Sequence, residues 1–306
     1  MRGTNPHFLR WLPALSSIAI VLMVTSAGAQ ITPATPGGSL ASKKLVIPTT
    51  DELIKRGPKV AVDTVAEVLG MVRGPQRNTK NVNKVEVVAS GTMTERSADG
   101  TWRTYKVTRL TEAVDFVIPA VRLDVERSDP GARPQRQIQV VAGKQAWDEE
   151  KPGINGTPVA AAGVVEDRIR SIWLTPQGAM WGALRAAEGG ESNVRLANEA
   201  GRVTISYSLN GEPLKLVLNA NLLPEKIQIQ ARSAMYGETM IEASYSGYKD
   251  FGATPLAPEG FLAPCPSRIT YKAGTRTIRD LTVSDCEINP YVIFPLPANM
   301  AKGSTN

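Results

Sequence analysis

Histidine is nearly missing from this chain: its 306 residues contain one, His7. That residue lies in a leader expected to be removed, so the remaining chain has none. The absence excludes Ser-His-Asp and Cys-His nucleophile activation, His-ligated zinc and imidazole general bases. An enzyme made from what remains has only carboxylates, lysine, tyrosine or a Ser-Lys pair. Cysteine is almost as scarce, with Cys265 and Cys286 alone and no Cys-x-x-Cys spacing, so thiol redox chemistry is not expected. Glycine-rich phosphate loops and the Asp-x-Asx calcium pattern are absent. So are Lys/Arg runs of the kind that contact nucleic acid. No cofactor, metal or nucleic-acid partner is therefore expected.

The N-terminus has a definite design. Arg2 and Arg10 stand without any acid, the apolar run WLPALSSIAIVLMVT follows, and Ala27-Gly28-Ala29 closes it. This is the layout of a secretory signal peptide. The run falls short of the roughly 20 apolar residues that span a bilayer, so cleavage between Ala29 and Gln30 is expected. No cysteine at that point could carry an acyl anchor. The expectation is a periplasmic or secreted protein with no transmembrane segment in the mature chain. Losing residues 1–29 of 306 leaves 277, and losing two arginines with no acid takes the net charge from +6 to +4. In an oxidising compartment the two cysteines suggest one disulfide, Cys265–Cys286. They flank an expected hairpin, SRITYK and RTIRDLTVSD. If Lys272 pairs with Arg276 or Thr277, a bulge or a bend is needed to bring them within bridging distance.

Residues 30–48 are rich in Pro, Gly, Ser and Thr and read as a flexible lead-in, with a single domain over 49–306. Thr50 or Asp51 is a possible cap, and Pro58 suits a first helical position. From there Ala61, Val62, Val65, Val68, Leu69 and Val72 recur at helical spacing until Gly74-Pro75. The period then becomes two. Strands are expected over 83–96, 101–110, 121–127, 137–142 and 145–150, with turns at Ala98-Asp99-Gly100 and Gly143-Lys144. Residues 161–174 and 176–187 read as helices, the second capped by Thr175 with Pro176 at its first position. Strands resume over 201–220, split by Asn210-Gly211, the strongest hairpin signal present, and continue to the C-terminal hairpin. About eleven strands and few helices imply a mainly β (α+β) fold. The expected form is a curved antiparallel sheet, an unclosed half-barrel with helices on its concave face.

The stretch VVAGKQAWDEE, 140–150, invites a sharper reading. Alternation puts Asp148 and Glu150 on one side of a strand and Glu149 on the other. The pair could hold a cation or act as acid and base on an envelope glycan. The plainer alternative, a solvated strand end running into KPGING, is preferred because charge runs are usually solvated.

Several short motifs resemble the LolA/LolB/RseB superfamily of periplasmic proteins. Pro119-Ala120-Val121-Arg122-Leu123 precedes the Ala142-Gly143-Lys144 turn and Trp147. Tyr248-Lys249-Asp250-Phe251-Gly252 follows a late strand, and Phe294-Pro295-Leu296-Pro297 reads as a closing Pro-bounded strand. The resemblance spans most of 55–300 in element order. It implies an unclosed barrel plugged by helices, with an apolar cavity for acyl chains of a lipid or lipoprotein and Arg122 in place of a buried lid-locking arginine. A dedicated lipoprotein carrier of that family is shorter than this chain, so fold carries over better than cargo. The expected cavity lining is Val65, Leu69, Val72, Ile172, Trp173, Met180, Trp181 and Leu184, residues that periodicity places equally well in a filled core. The expected function is a non-catalytic carrier or sensor of a lipid or lipidated protein. The alternatives are an envelope interaction protein with a filled core and a protein partner, or a carboxylate glycan enzyme.

Overall fold

The structure is a computed structural model that describes residues 47–73, 79–80, 82–97, 99–129, 131–255, 260 and 263–301. The expected signal peptide over 1–29, nearly all of the expected 30–48 lead-in, the Gly74-Pro75 stop and Ala98 of the first turn lie outside the described residues. The elements below belong to one compact unit, Leu45–Asn306.

Two helices come first, α1 (Thr50–Lys55) and α2 (Pro58–Val68). Thr49 caps α1, where Thr50 or Asp51 is expected from sequence. Its hydroxyl accepts from the Glu52 N–H at 3.3 Å while the Glu52 carboxylate accepts from the Thr49 N–H at 2.9 Å, a closed capping box. Pro58 opens α2 as expected, but the helix ends at Val68. The Met71 N–H bonds the Ala66 carbonyl and the Gly70 N–H bonds that of Glu67, with Gly70 at φ +70°. This Schellman motif uses the one residue type that takes the left-handed turn without strain. Val72 is thereby moved off the helix into a two-strand ribbon, β1 (Val72–Arg73) with β2 (Thr79–Lys80).

Six strands then step outward: β3 (Lys84–Arg96), β4 (Trp102–Asp115), β5 (Ala120–Ser128), β6 (Gln135–Ala142), β7 (Gln145–Lys151) and β8 (Ile154–Pro158). Helices α3 (Ala162–Trp173) and α4 (Pro176–Glu188) intervene, with Thr175 capping α4 through the Gly178 N–H at 3.1 Å. Seven strands return: β9 (Val194–Glu199), β10 (Arg202–Leu209), β11 (Glu212–Leu218), β12 (Pro224–Ser233), β13 (Gly237–Ser246), β14 (Arg268–Ala273) and β15 (Arg276–Ile288). A short α5 (Ala298–Ala301) follows.

The thirteen strands form one sheet, in the order β8-β7-β6-β5-β4-β3-β15-β14-β13-β12-β11-β10-β9, antiparallel throughout and not closed. The last strand, β15, returns to pair with the first, β3, so both ends of the meander meet mid-sheet. The two strands that the pattern leaves unassigned, β8 and β9, are the sheet's edges. Each is short and polar, which is how edges resist adventitious pairing, and so neither alternates visibly. The Asn210-Gly211 hairpin is present, with Leu209 opposite Glu212 and both turn residues at positive φ.

Register shifts near Ser90, Thr108 and Ser284 bend the centre of the sheet. At this bend Gly91 has φ +150°, and a Cβ there would lie 2.1 Å from the Asp280 carbonyl oxygen. Cys265 and Cys286 are joined, with their Cα atoms 6.5 Å apart. Lys272 pairs with Thr277, and the expected bulge follows between Tyr271 and Lys272. The main core fills the concave face beneath α2, α3 and α4. A second, smaller core lies on the convex face, where Phe294, Leu296 and Met300 cover Ile138, Val140 and Trp147. The Phe294–Pro297 segment, expected as a strand, is irregular; two prolines in four residues remove the donors a ladder needs.

Candidate functional site

Helix α3 crosses the mouth of the curved sheet and is fastened to both arms. Towards one arm, the Arg168 guanidinium bonds Asp148 on β7 at 2.5 Å and the carbonyls of Trp147 and Val140 at 2.8 and 3.0 Å. Towards the other, Arg170 forks onto Glu212 of β11 at 2.7 and 3.0 Å and also meets Asp167. Asp167 in turn accepts from the Ser233 hydroxyl at 2.8 Å and the Ala234 N–H at 2.9 Å, holding the β12–β13 turn. Two arginines two positions apart on one helix thus face opposite arms, so their charge pairs oppose separation of the arms.

Beneath this clasp is a cavity of about 340 Å³. Its apolar wall comes from Val121 and Leu123 of β5, Leu174 at the end of α3, Ile241 of β13 and Ile278 of β15. Tyr236 and Met235 of the β12–β13 turn form part of its rim, where Met235 is 38 % exposed. That volume is at the small end of the roughly 300–1,000 Å³ typical of ligand pockets. The bulge in β15 shapes it: Ile278 is left without a register partner, so consecutive residues Ile278 and Arg279 both face the cavity.

Arg279 lines the cavity together with Arg168 and Arg170 of the clasp. Its guanidinium lies 5.3 Å from the Tyr271 ring centre and 3.6 Å from the Glu112 carboxylate. In register Arg279 faces Met93 and Glu112 faces Val87, so the ion pair crosses the concavity and does not link neighbouring rungs. Burial raises the Glu112 carboxyl above the ordinary glutamate range, with the Arg279 charge pulling the other way. Burial works to lower Arg279, but Glu112 and the tyrosines around it hold it above its usual value and it stays charged. Tyr236, stacked on Trp102 at 5.9 Å, is pushed up to about 12 by burial. Tyr271 rises for the same reason, and its hydroxyl lies 3.1 Å from that of Tyr245. These phenols are neutral donors and acceptors at any physiological pH.

The acidic run resolves into three different environments. Asp148 faces inward to Arg168. Glu149 shares the convex face with Trp147, accepting from the indole N–H at 2.8 Å and from Arg122 Nε at 3.0 Å, with its side chain fully buried. Glu150 is exposed and bonded to Asn155 at 2.7 Å, and Asp148 is partly exposed beside its arginine. The solvated-end reading therefore fails at Glu149, because the C-terminal segment covers that face. Arg122 does not lock a helix: its guanidinium lies 5.4 Å from the Phe294 ring and bonds the Ile293 carbonyl at 3.2 Å, holding that segment down. Asp148 and Glu150 share a face but are not brought together as a pair, each having its own partner. Among the described residues no cluster of three or more His, Cys, Asp or Glu could hold a metal.

The residues expected to line the cavity are placed differently. Val65, Leu69, Ile172, Trp173, Met180, Trp181 and Leu184 pack in the concave core, and Val72 lies in the ribbon. None is in the cavity wall. Arg279 in the wall and Glu112 behind it carry a readable signal: Glu112 interrupts the apolar row Leu110-x-Glu112-x-Val114, and Arg279 stands at the head of the row Leu281-x-Val283. A charge on the core-facing register of a strand is rare unless paired or functional.

No family model matches the chain, and no curated protein matches it. Among solved structures, the chain is similar to LprF from Mycobacterium bovis, with 15% identity, 78% of this chain and 97% of that chain covered, and a TM-score of 0.32. A superposition that loose transfers nothing about activity or ligand.

Proposed function

We propose that the chain is an exported, non-catalytic binding protein that carries or senses a lipid-like ligand in the cavity beneath α3. One observation carries this reading: a largely apolar cleft of about 340 Å³ lies between α3 and the concave face of the half-barrel, walled by Val121, Leu123, Leu174, Ile241 and Ile278. Transfer of a chain there from water is favourable by about 0.8 kcal/mol per methylene. The signal-peptide layout and the Cys265–Cys286 bond support a location outside the cytoplasm. No helix among the described residues is long and apolar enough to cross a membrane. The likeness of the quoted motifs to the LolA/LolB/RseB superfamily points the same way.

The capacity fits one chain better than several, which favours a single-chain ligand over a triacylated one. The test is native mass spectrometry of the purified mature protein together with titration by the neutral probe phenylnaphthylamine. Co-purified lipid, or saturable probe fluorescence at one equivalent, is expected. Bare protein that enhances no probe fluorescence would retire the carrier reading in favour of an interaction protein with a filled core.

A further inference from the structure

The cavity is not uniformly greasy, and its one loosely satisfied charge specifies what can enter. Three arginines line it. Arg168 is bonded to Asp148 and two carbonyls, and Arg170 is forked onto Glu212 and meets Asp167. Arg279 differs. Among the described contacts its ion partner is Glu112 at 3.6 Å, beyond the roughly 2.7–3.2 Å of a good N–H···O bond, and its flat face is against Tyr271. A guanidinium presents five N–H donors in a planar fork, far more than one distant carboxylate satisfies. The bulge that turns Ile278 and Arg279 together into the cavity places this fork beside an apolar wall, the arrangement an amphiphile requires.

The other acids nearby are occupied. Asp167 is held by Arg170, Ser233 and Ala234, and Glu95 is paired with Arg127. Neither competes for the Arg279 fork at hydrogen-bond distance.

We propose that Arg279 is the head-group site of the cavity and that its ligand is a single-chain amphiphile with an anionic head, a carboxylate or a phosphate monoester. The head forks onto the guanidinium, and the chain lies along Leu123, Ile241 and Leu174. The proposal rests on the chain binding an apolar ligand in this cavity, and it adds the charge of that ligand. Bidentate pairing to a part-buried arginine is worth enough to discriminate charged from neutral heads by about tenfold.

Calorimetric titration of the mature protein at neutral pH with decanoate, decyl phosphate and decanol tests it, because these share a chain and differ in the head. Decanoate or decyl phosphate is expected to bind about tenfold tighter than decanol, and the stronger of the two names the head. Glu112→Gln, which releases the fork, is expected to tighten the anion several-fold and leave decanol unchanged. The paired variant Glu112→Gln/Arg279→Met leaves no stranded charge, and it is expected to abolish the preference while decanol still binds. Equal binding of all three probes to the wild type, or a preference that survives in the paired variant, overturns the head-group assignment but not the cavity. Failure of every probe, decanol included, overturns both.

Discussion

Arg168 on α3 bonds Asp148 on β7 at 2.5 Å, while two residues along the same helix Arg170 forks onto Glu212 of the opposite arm. The helix is thus a tie across an open sheet. Asp148 is partly exposed, so screening keeps its stabilising contribution small, about 1 kcal/mol or less. Asp148→Asn should therefore barely move the unfolding midpoint and yet speed amide exchange within 162–173. Exchange unchanged across α3 would mean that the tie does not hold the helix.

Its neighbour in sequence should behave in the opposite way. Glu149 is buried against Arg122 and the Trp147 indole. Removing one partner of a buried ion pair costs about 3–5 kcal/mol. At this chain length that lowers the thermal midpoint by on the order of 10 °C. Glu149→Ala should show that loss and Glu150→Ala almost none, as thermal unfolding of the two variants would reveal. Equal, small effects would return the whole acidic run to the solvent.

The difference between these acids shows where sequence reading stops. Alternation alone places Glu149 on the face away from Asp148, and it does point there. What alternation cannot show is that Phe294, Leu296 and Met300, some 145 residues later, fold over that face and bury it. Local patterns with a physical cause in the chain itself were legible: Thr175 with Pro176, the Asn210-Gly211 turn and the bulged Cys265–Cys286 hairpin. The edge strands β8 and β9 were not, because edges are selected to look unlike strands. Apolar helix stripes mark the core and do not distinguish it from a cleft wall, and charges on a strand's core-facing register such as Glu112 and Arg279 are what periodicity counts as noise.

Gly91 has the tightest backbone approach of the bend. A Cβ there would lie 2.1 Å from the Asp280 carbonyl oxygen, at φ +150°. Gly91→Ala must separate β3 from β15, the pair that joins the two halves of the sheet. A cost of about 3 kcal/mol or more is expected, read as a lowered urea midpoint. A midpoint within error of the wild type would show that the bend does not need this glycine.

The Cys265–Cys286 bond closes a loop of 21 residues. Chain-entropy reasoning gives it about 3 kcal/mol of stability. Cys265→Ser/Cys286→Ser should lose that amount, and reductant should then have no further effect on the variant. A variant as stable as the oxidised wild type would leave the bond with no stabilising role.

Glu112 gives a pH signature. Burial raises its folded pKa above the ordinary value of 4.5. A carboxyl raised in this way contributes its stability below the unfolded pKa and loses it as pH rises through the folded one. From below pH 4.5 towards neutrality, the wild type should therefore lose stability relative to Glu112→Gln. Urea unfolding at a series of pH values measures the difference, and the opposite slope would mean that Arg279 outweighs burial at this site.

The central claim is that the space beneath α3 holds a ligand, and filling that space tests it most directly. Leu123 lies in the cavity wall, and Leu123→Trp puts an indole into the void. Phenylnaphthylamine titration should give saturable one-to-one fluorescence with the wild type and lose it in Leu123→Trp, while circular dichroism and the thermal midpoint show the fold intact. Undiminished binding in the folded, filled variant would contradict the claim and place the ligand elsewhere.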